Sequence, residues 1–112
     1  MLSKNVKQLI TDPLSQLYLS AISVWEFSKL VQLGRLKINC DGPKWISTAL
    51  NLPGLKLLDL TPEIAWQSNN LPGTIHRDPA DQIIIASARL LDAPVVTKDK
   101  LIDEYKFVRS IW

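Results

Sequence analysis

Short β-rich runs alternating with amphipathic stretches predict an α/β domain with a mostly parallel sheet flanked by helices. Three observations carry that expectation. LYLSA (Leu17 to Ala21), LKLLDL (Leu55 to Leu60) and VVT (Val95 to Thr97) are brief apolar runs, each followed by a segment with helical signals. The last of these is too apolar for a solvent-facing sheet, as parallel strands covered on both faces are. Pro and Gly fall between these segments as punctuation, with no repeats or Gly/Ser linkers.

Taken in order, Val6, Leu9 and Ile10 give Ser3 to Thr11 the stripe of a short helix, ended by Asp12-Pro13. The strand Leu17 to Ala21 follows. Ser23 then opens a helix to about Leu33, with Ser23-x-x-Glu26 at capping-box spacing and Gly34 as its stop. This helix is apolar nearly all round, which predicts deep burial. Pro43 starts a further helix to about Leu52, and Pro53-Gly54 leads into the strand Leu55 to Leu60. Thr61-Pro62-Glu63 caps a helix ending near Asn69 or Asn70, and Pro79 to Leu91 forms the next one. After the strand Val95 to Thr97, a brief helix around Lys100 to Tyr105 and a last strand, Phe107 to Ile111, complete the pattern.

At 112 residues the chain is expected to form one domain, residues 1–112, with a core that needs no staples. Its 46% apolar and 21% charged content is that of a soluble globular chain. Thirteen Lys and Arg against 11 Asp and Glu give a net charge of +2, too slight a basicity to establish nucleic-acid binding. The one Cys, Cys40, excludes an internal disulfide and a Cys-based zinc cage and suits a reducing compartment. No apolar run approaches the roughly 20 residues that span a bilayer, and MLSKNVKQL lacks the apolar heart of a signal peptide. The cytoplasm is the expected location.

The stretch HRDPADQIIIASA, His76 to Ala88, joins structural and chemical signals. Asp78-Pro79 opens a helix, and Asp81 at its third position shares a stripe with Ile84, Ile85 and Ala88. A carboxylate at the head of a core-facing row either complements the helix dipole or serves a site. In parallel α/β folds ligands bind beyond the carboxyl ends of the strands. Three acids are expected there: Glu26 at the third position of its helix, Asp81, and Asp99 just after the strand 95–97. If they converge, protonation, basic neighbours or a hard cation must relieve their repulsion. Mg²⁺ or Mn²⁺ takes such oxygen donors and activates water toward a phosphodiester. Each acid also has a plainer reading, Glu26 as the acid of a capping box and Asp99 as a turn residue. Thr97 is a strand residue or orients a carboxylate through its hydroxyl, and His76 and Arg77 are a solvated loop pair or meet a phosphate.

The chain resembles the PIN domain, more narrowly the VapC-type toxin ribonucleases of bacterial toxin–antitoxin pairs. The matching words are YLSAISVWEFSKLVQLGRLKI (Tyr18 to Ile38), LDLTPEIAW (Leu58 to Trp66), LPGTIHRDPADQIIIASARLLDAPVVTKDK (Leu71 to Lys100) and the terminal strand up to Trp112. The resemblance implies Mg²⁺- or Mn²⁺-dependent endonucleolytic cleavage of RNA. It also implies a small cytoplasmic protein that forms a homodimer and is held inactive by a cognate antitoxin. Glu26 matches the acid of the S-x-x-E word, which Ser23 opens; Asp81 matches the acid before I-A-x-A; and Asp99 matches the acid of T-x-D, which Thr97 opens. Asp78 matches an accessory acid. Arg77, Lys98 and Lys29 are the weaker candidates for contacts to phosphate or to the acids.

Members of this family open with a central strand of the type LLDTH, which carries the first metal-binding Asp, and then a helix. This chain is expected to begin after both, as an N-terminally truncated PIN-like domain. Two rivals accompany the nuclease reading. One is a non-catalytic remnant that engages an antitoxin or a sister subunit through helices bearing Trp25, Phe27, Trp45 and Trp66. The other is a receiver-like or phosphatase-like domain with a carboxylate phosphoacceptor, disfavoured because no Asp ends an early apolar strand.

Overall fold

The structure, a computed structural model, describes residues 2–112, and Met1 lies outside the described residues. In chain order the elements are α1 (Lys4–Thr11), β1 (Leu17–Ser20), α2 (Ala21–Gln32), α3 (Gly42–Leu50), β2 (Leu55–Leu58), α4 (Pro62–Ser68), α5 (Pro79–Leu91), β3 (Val95–Val96), α6 (Lys100–Asp103) and β4 (Ser110–Ile111). The fold is mixed α/β with parallel strands flanked by helices, as the alternation predicts. In place of one sheet the described residues form two parallel two-stranded sheets, β1 with β2 and β3 with β4. Strand pairing is a non-local choice that the local pattern of each run does not encode.

Helix starts follow local chemistry. The side chains of Ser3, Asp41, Thr61 and Asp78 each accept a hydrogen bond from a backbone N–H of the following first turn, and Pro62 and Pro79 occupy positions where no N–H is needed. The start of α2 departs from expectation. Ser20, not Ser23, caps it, accepting from the Ile22 N–H at 3.3 Å, so Ser23 is the third helical residue and Glu26 falls in the second turn. The chain leaves the β1 ladder at Ser20, paired with Leu58, and the helix begins at once. The capping-box reading of Ser23 and Glu26 is thereby overturned.

The residues divide into two compact units: Pro13–Asp59, and the residues before Pro13 together with Leu60–Trp112. In Pro13–Asp59, β1 and β2 pair from Leu17–Leu55 to Ser20–Leu58. Gly54, at φ +77, hands its carbonyl to the Leu17 N–H at 2.7 Å, and a Cβ there would stand 3.0 Å from the Ser15 carbonyl oxygen. No residue of this unit is fully buried. The deep burial expected of α2 is not found, with Trp25 59% and Leu30 41% exposed. An apolar stripe around a helix predicts burial only when there is enough surrounding surface to cover every face. What apolar packing the unit has centres on Phe27 stacked on Trp45, ring centroids 4.3 Å apart, beside an apolar cleft of about 180 Å³.

The other unit holds the core. Ile85 is fully buried and clusters with Ala88, Val95, Ile102 and Tyr105, with Leu71, Ile75, Ile84 and Val108 packed around them. Small residues let α4 and α5 lie close, since buried Ser68 and Ser87 return their hydroxyls to Ala65 and Ile83 of their own helices. Val95 is covered but Val96 is 41% exposed, so the β3 strand is half-covered rather than sandwiched. Tyr105, buried, donates its hydroxyl to the Pro72 carbonyl and meets the Phe107 ring at 5.7 Å. Phe107 in turn lies over Gly73, whose φ is +70.

Two outcomes follow from this packing. Gly73→Ala brings a Cβ to 2.7 Å from the Phe107 ring in a left-handed conformation, and is expected to lower unfolding free energy by about 2 kcal/mol. A lower urea midpoint at unchanged slope is the readout, and an unmoved midpoint contradicts it. Burial pushes the Tyr105 phenol above its usual range, with the Arg89 guanidinium pulling it back in part. The folded state therefore holds that proton more tightly than the unfolded chain. Its stabilising contribution is complete below the ordinary value of 10.0 and disappears as pH rises through the raised native one. Tyr105→Phe should cost about 1 kcal/mol near neutral pH and flatten the alkaline limb of a stability–pH profile.

Candidate functional site

The opening of α5 holds the most developed polar arrangement among the expected site residues. Asp78 Oδ1 accepts the Asp81 N–H at 3.0 Å, so capping is done by Asp78. The Asp81 carboxylate is left for another partner and finds His76, whose Nε2 stands 2.7 Å from its Oδ2. An ionised carboxylate only accepts, which places the imidazole proton on Nε2. Both side chains are about one-fifth exposed, at 19% for His76 and 21% for Asp81. Gln82 donates through Nε2 to the His76 carbonyl at 3.2 Å, tying the loop before α5 to its first turn. Arg77 and Asp78, by contrast, are exposed.

Asp99 caps α6, its Oδ1 accepting the Leu101 N–H at 2.9 Å. Thr97 Oγ1 accepts the Asp99 N–H at 3.1 Å. The Thr97 hydroxyl thus orients the Asp99 backbone, not a carboxylate. Asp99 and Lys98 are exposed. Asp99 is thus a helix cap rather than a plain turn residue, and one of its carboxylate oxygens is committed to α6.

Glu26, Ser23 and Lys29 lie in the other unit, all on α2. Glu26 is partly exposed, Ser23 borders the apolar cleft, and Lys29 Nζ donates to Gln32 Oε1 at 3.0 Å. Among the described residues no group of three or more His, Cys, Asp and Glu side chains is arranged to hold a metal ion. The donor chemistry itself, carboxylate oxygens with a neighbouring hydroxyl, is of the kind that hard divalent cations take.

Sequence reasoning placed His76 with Arg77 as a loop pair or a phosphate contact and missed it as the partner of Asp81. The signal was thin: an imidazole five positions before a carboxylate, across a loop that no periodicity describes. Gln82 was also missed, because a polar residue in an otherwise apolar helix ordinarily faces solvent.

The pattern of the PIN domain matches residues 2–108, nearly the whole chain. Ribonuclease VapC22 of Mycobacterium tuberculosis (strain ATCC 25618 / H37Rv) is 26% identical over 96 residues, covering 86% of this chain and 72% of that protein. No solved structure matches the chain. The acid-bearing openings of α5 and α6 both fall inside the matched span, and the chain belongs to the PIN-domain family.

Proposed function

We propose that this PIN domain, acting as one domain over residues 1–112, is a divalent-metal-dependent endoribonuclease of the VapC toxin type. Its substrate is RNA, its cation Mg²⁺ or Mn²⁺, and Glu26, Asp81 and Asp99 are the carboxylates that hold that cation. The observation that carries the reading is Asp81. Its carboxylate is largely covered, relieved of capping by Asp78, and fixed by an imidazole at 2.7 Å. The family words and the likeness to a ribonuclease add support. When bound, a divalent cation supplies positive charge to a phosphodiester oxygen and lowers the pKa of water. The protein's own part is to present carboxylate oxygens and to keep Asp81 in one orientation through His76, with Thr97 setting the turn that presents Asp99. Asp78 and Ser23 are accessory, and Arg77, Lys98 and Lys29 supply the weaker phosphate contacts. A cognate antitoxin as regulator, a homodimer and a cytoplasmic location complete the proposal. No helix among the described residues is long and apolar enough to cross a membrane.

A second reading is a non-catalytic remnant that binds an antitoxin or a sister subunit. It is favoured by the exposure of large aromatic side chains, with Trp66 at 70%, Trp25 at 59% and Trp45 at 42%.

Incubation of the full chain with labelled RNA in Mn²⁺ separates the two. Asp81→Asn, Asp99→Asn and Glu26→Gln are each expected to reduce cleavage at least about a hundredfold while melting near the parent temperature. Equal cleavage by parent and Asp81→Asn would assign the activity to a contaminant and overturn the nuclease reading. His76→Ala is expected to reduce cleavage by roughly tenfold to a hundredfold, because it removes the group that orients Asp81. An unchanged rate would show that Asp81 needs no such partner.

A further inference from the structure

At the opposite end of α5 from Asp81, an open cleft of about 360 Å³ is lined by Arg89, Asp92, Lys106, Phe107 and Arg109 among others. The helix has 13 residues, so at roughly 1.5 Å per residue the cleft lies about 18 Å along the axis from Pro79. Three cations from two separate segments, the end of α5 and the loop before β4, face this space with a single carboxylate. That carboxylate is already engaged. Arg109 donates to Asp92 Oδ1 at 3.3 Å and to the Asp92 carbonyl at 2.8 Å. Arg89 is held in place, with one N–H on the Phe107 carbonyl and its guanidinium 6.0 Å from the centre of the Phe107 ring. A guanidinium has five donors in a fixed fork, so these contacts orient it without using it up.

Simple neutralisation of the helix end does not account for the arrangement. Two carbonyls of the last turn of α5 are met by the backbone itself, since the Ala93 N–H reaches the Ala88 carbonyl at 2.9 Å and the Asp92 N–H reaches that of Arg89 at 3.2 Å. Lys106, moreover, belongs to the loop between α6 and β4 and is exposed. Phe107 is 45% exposed at the same rim. Preset guanidinium forks, an exposed ammonium and a partly exposed ring together are the elements with which proteins hold single-stranded nucleic acid without reading its sequence.

We infer that this cleft binds the phosphodiester backbone of single-stranded RNA, as a second contact remote from the α5 opening. The inference rests on the ribonuclease reading for the identity of the strand and adds where that strand is held. Placing the anion-binding groups a helix length from Asp78 and Asp81 keeps the phosphates they grip away from the negative charge of those carboxylates.

Fluorescence anisotropy with a labelled oligouridine of about twelve nucleotides, in EDTA and over a series of KCl concentrations, tests this on the full chain. Lys106→Glu is expected to weaken binding by about tenfold at low salt and to flatten the dependence of log K on log salt by about 0.7 or more. Lys106→Arg should bind as the parent does. Thermal melting of Lys106→Glu at the parent temperature shows that the fold is intact. Unchanged affinity and salt slope in Lys106→Glu would overturn the inference. That result together with cleavage lost in Asp81→Asn sinks the cleft and spares the nuclease. A clear loss of binding in Lys106→Glu, with cleavage equal in parent and Asp81→Asn, sinks the nuclease and spares the cleft.

Discussion

Ile85 is completely removed from solvent, and the cluster it forms with Ala88, Val95, Ile102 and Tyr105 ties α5 to β3, α6 and the loop beyond. Burying a side chain of that size contributes roughly 2 kcal/mol, a large share of what a small unit commands. The same burial fixes the rotation of α5 about its axis. With Ile85 and Ala88 turned into the core, Asp81 is carried to the covered edge of the first turn, where His76 can reach it. The position of one carboxylate thus depends on apolar packing a turn further along.

Signals confined to a few consecutive residues were legible in the sequence. Thr61-Pro62 and Asp78-Pro79 start α4 and α5 where the text of the chain places them, because cap and first turn are encoded together. Ser20 and Ser23 show the limit. Both are competent caps, and the choice between them lies with the parallel register that brings Ser20 opposite Leu58, information held in residues nearly forty positions away. The division of the strands between two sheets escaped for the same reason. His76 escaped because its partner is set by a loop, and loops carry no hydrophobic period.

The two units use their apolar residues differently. The unit that includes α5 closes a core, whereas Pro13–Asp59 leaves every side chain at least partly accessible and relies on the β1–β2 ladder and the Phe27–Trp45 stack. Residues offering chemistry follow that division. Asp81 and Asp99 sit at helix openings of the cored unit, where hydrogen bonds constrain their rotamers, and Glu26 sits on α2 of the other unit, next to solvent-facing Trp25. Carboxylates that also serve as caps, such as Asp99, have a structural duty that a bound cation would share rather than replace.

Titration of the full chain with Mn²⁺, followed by the loss of the free-ion paramagnetic resonance signal, addresses the role of Asp81 without depending on any substrate. The expected result is a saturable site in the parent protein that is weakened at least about tenfold in Asp81→Asn while the melting temperature is kept. Equal Mn²⁺ affinity in the two proteins would contradict the assignment of Asp81 as a cation ligand.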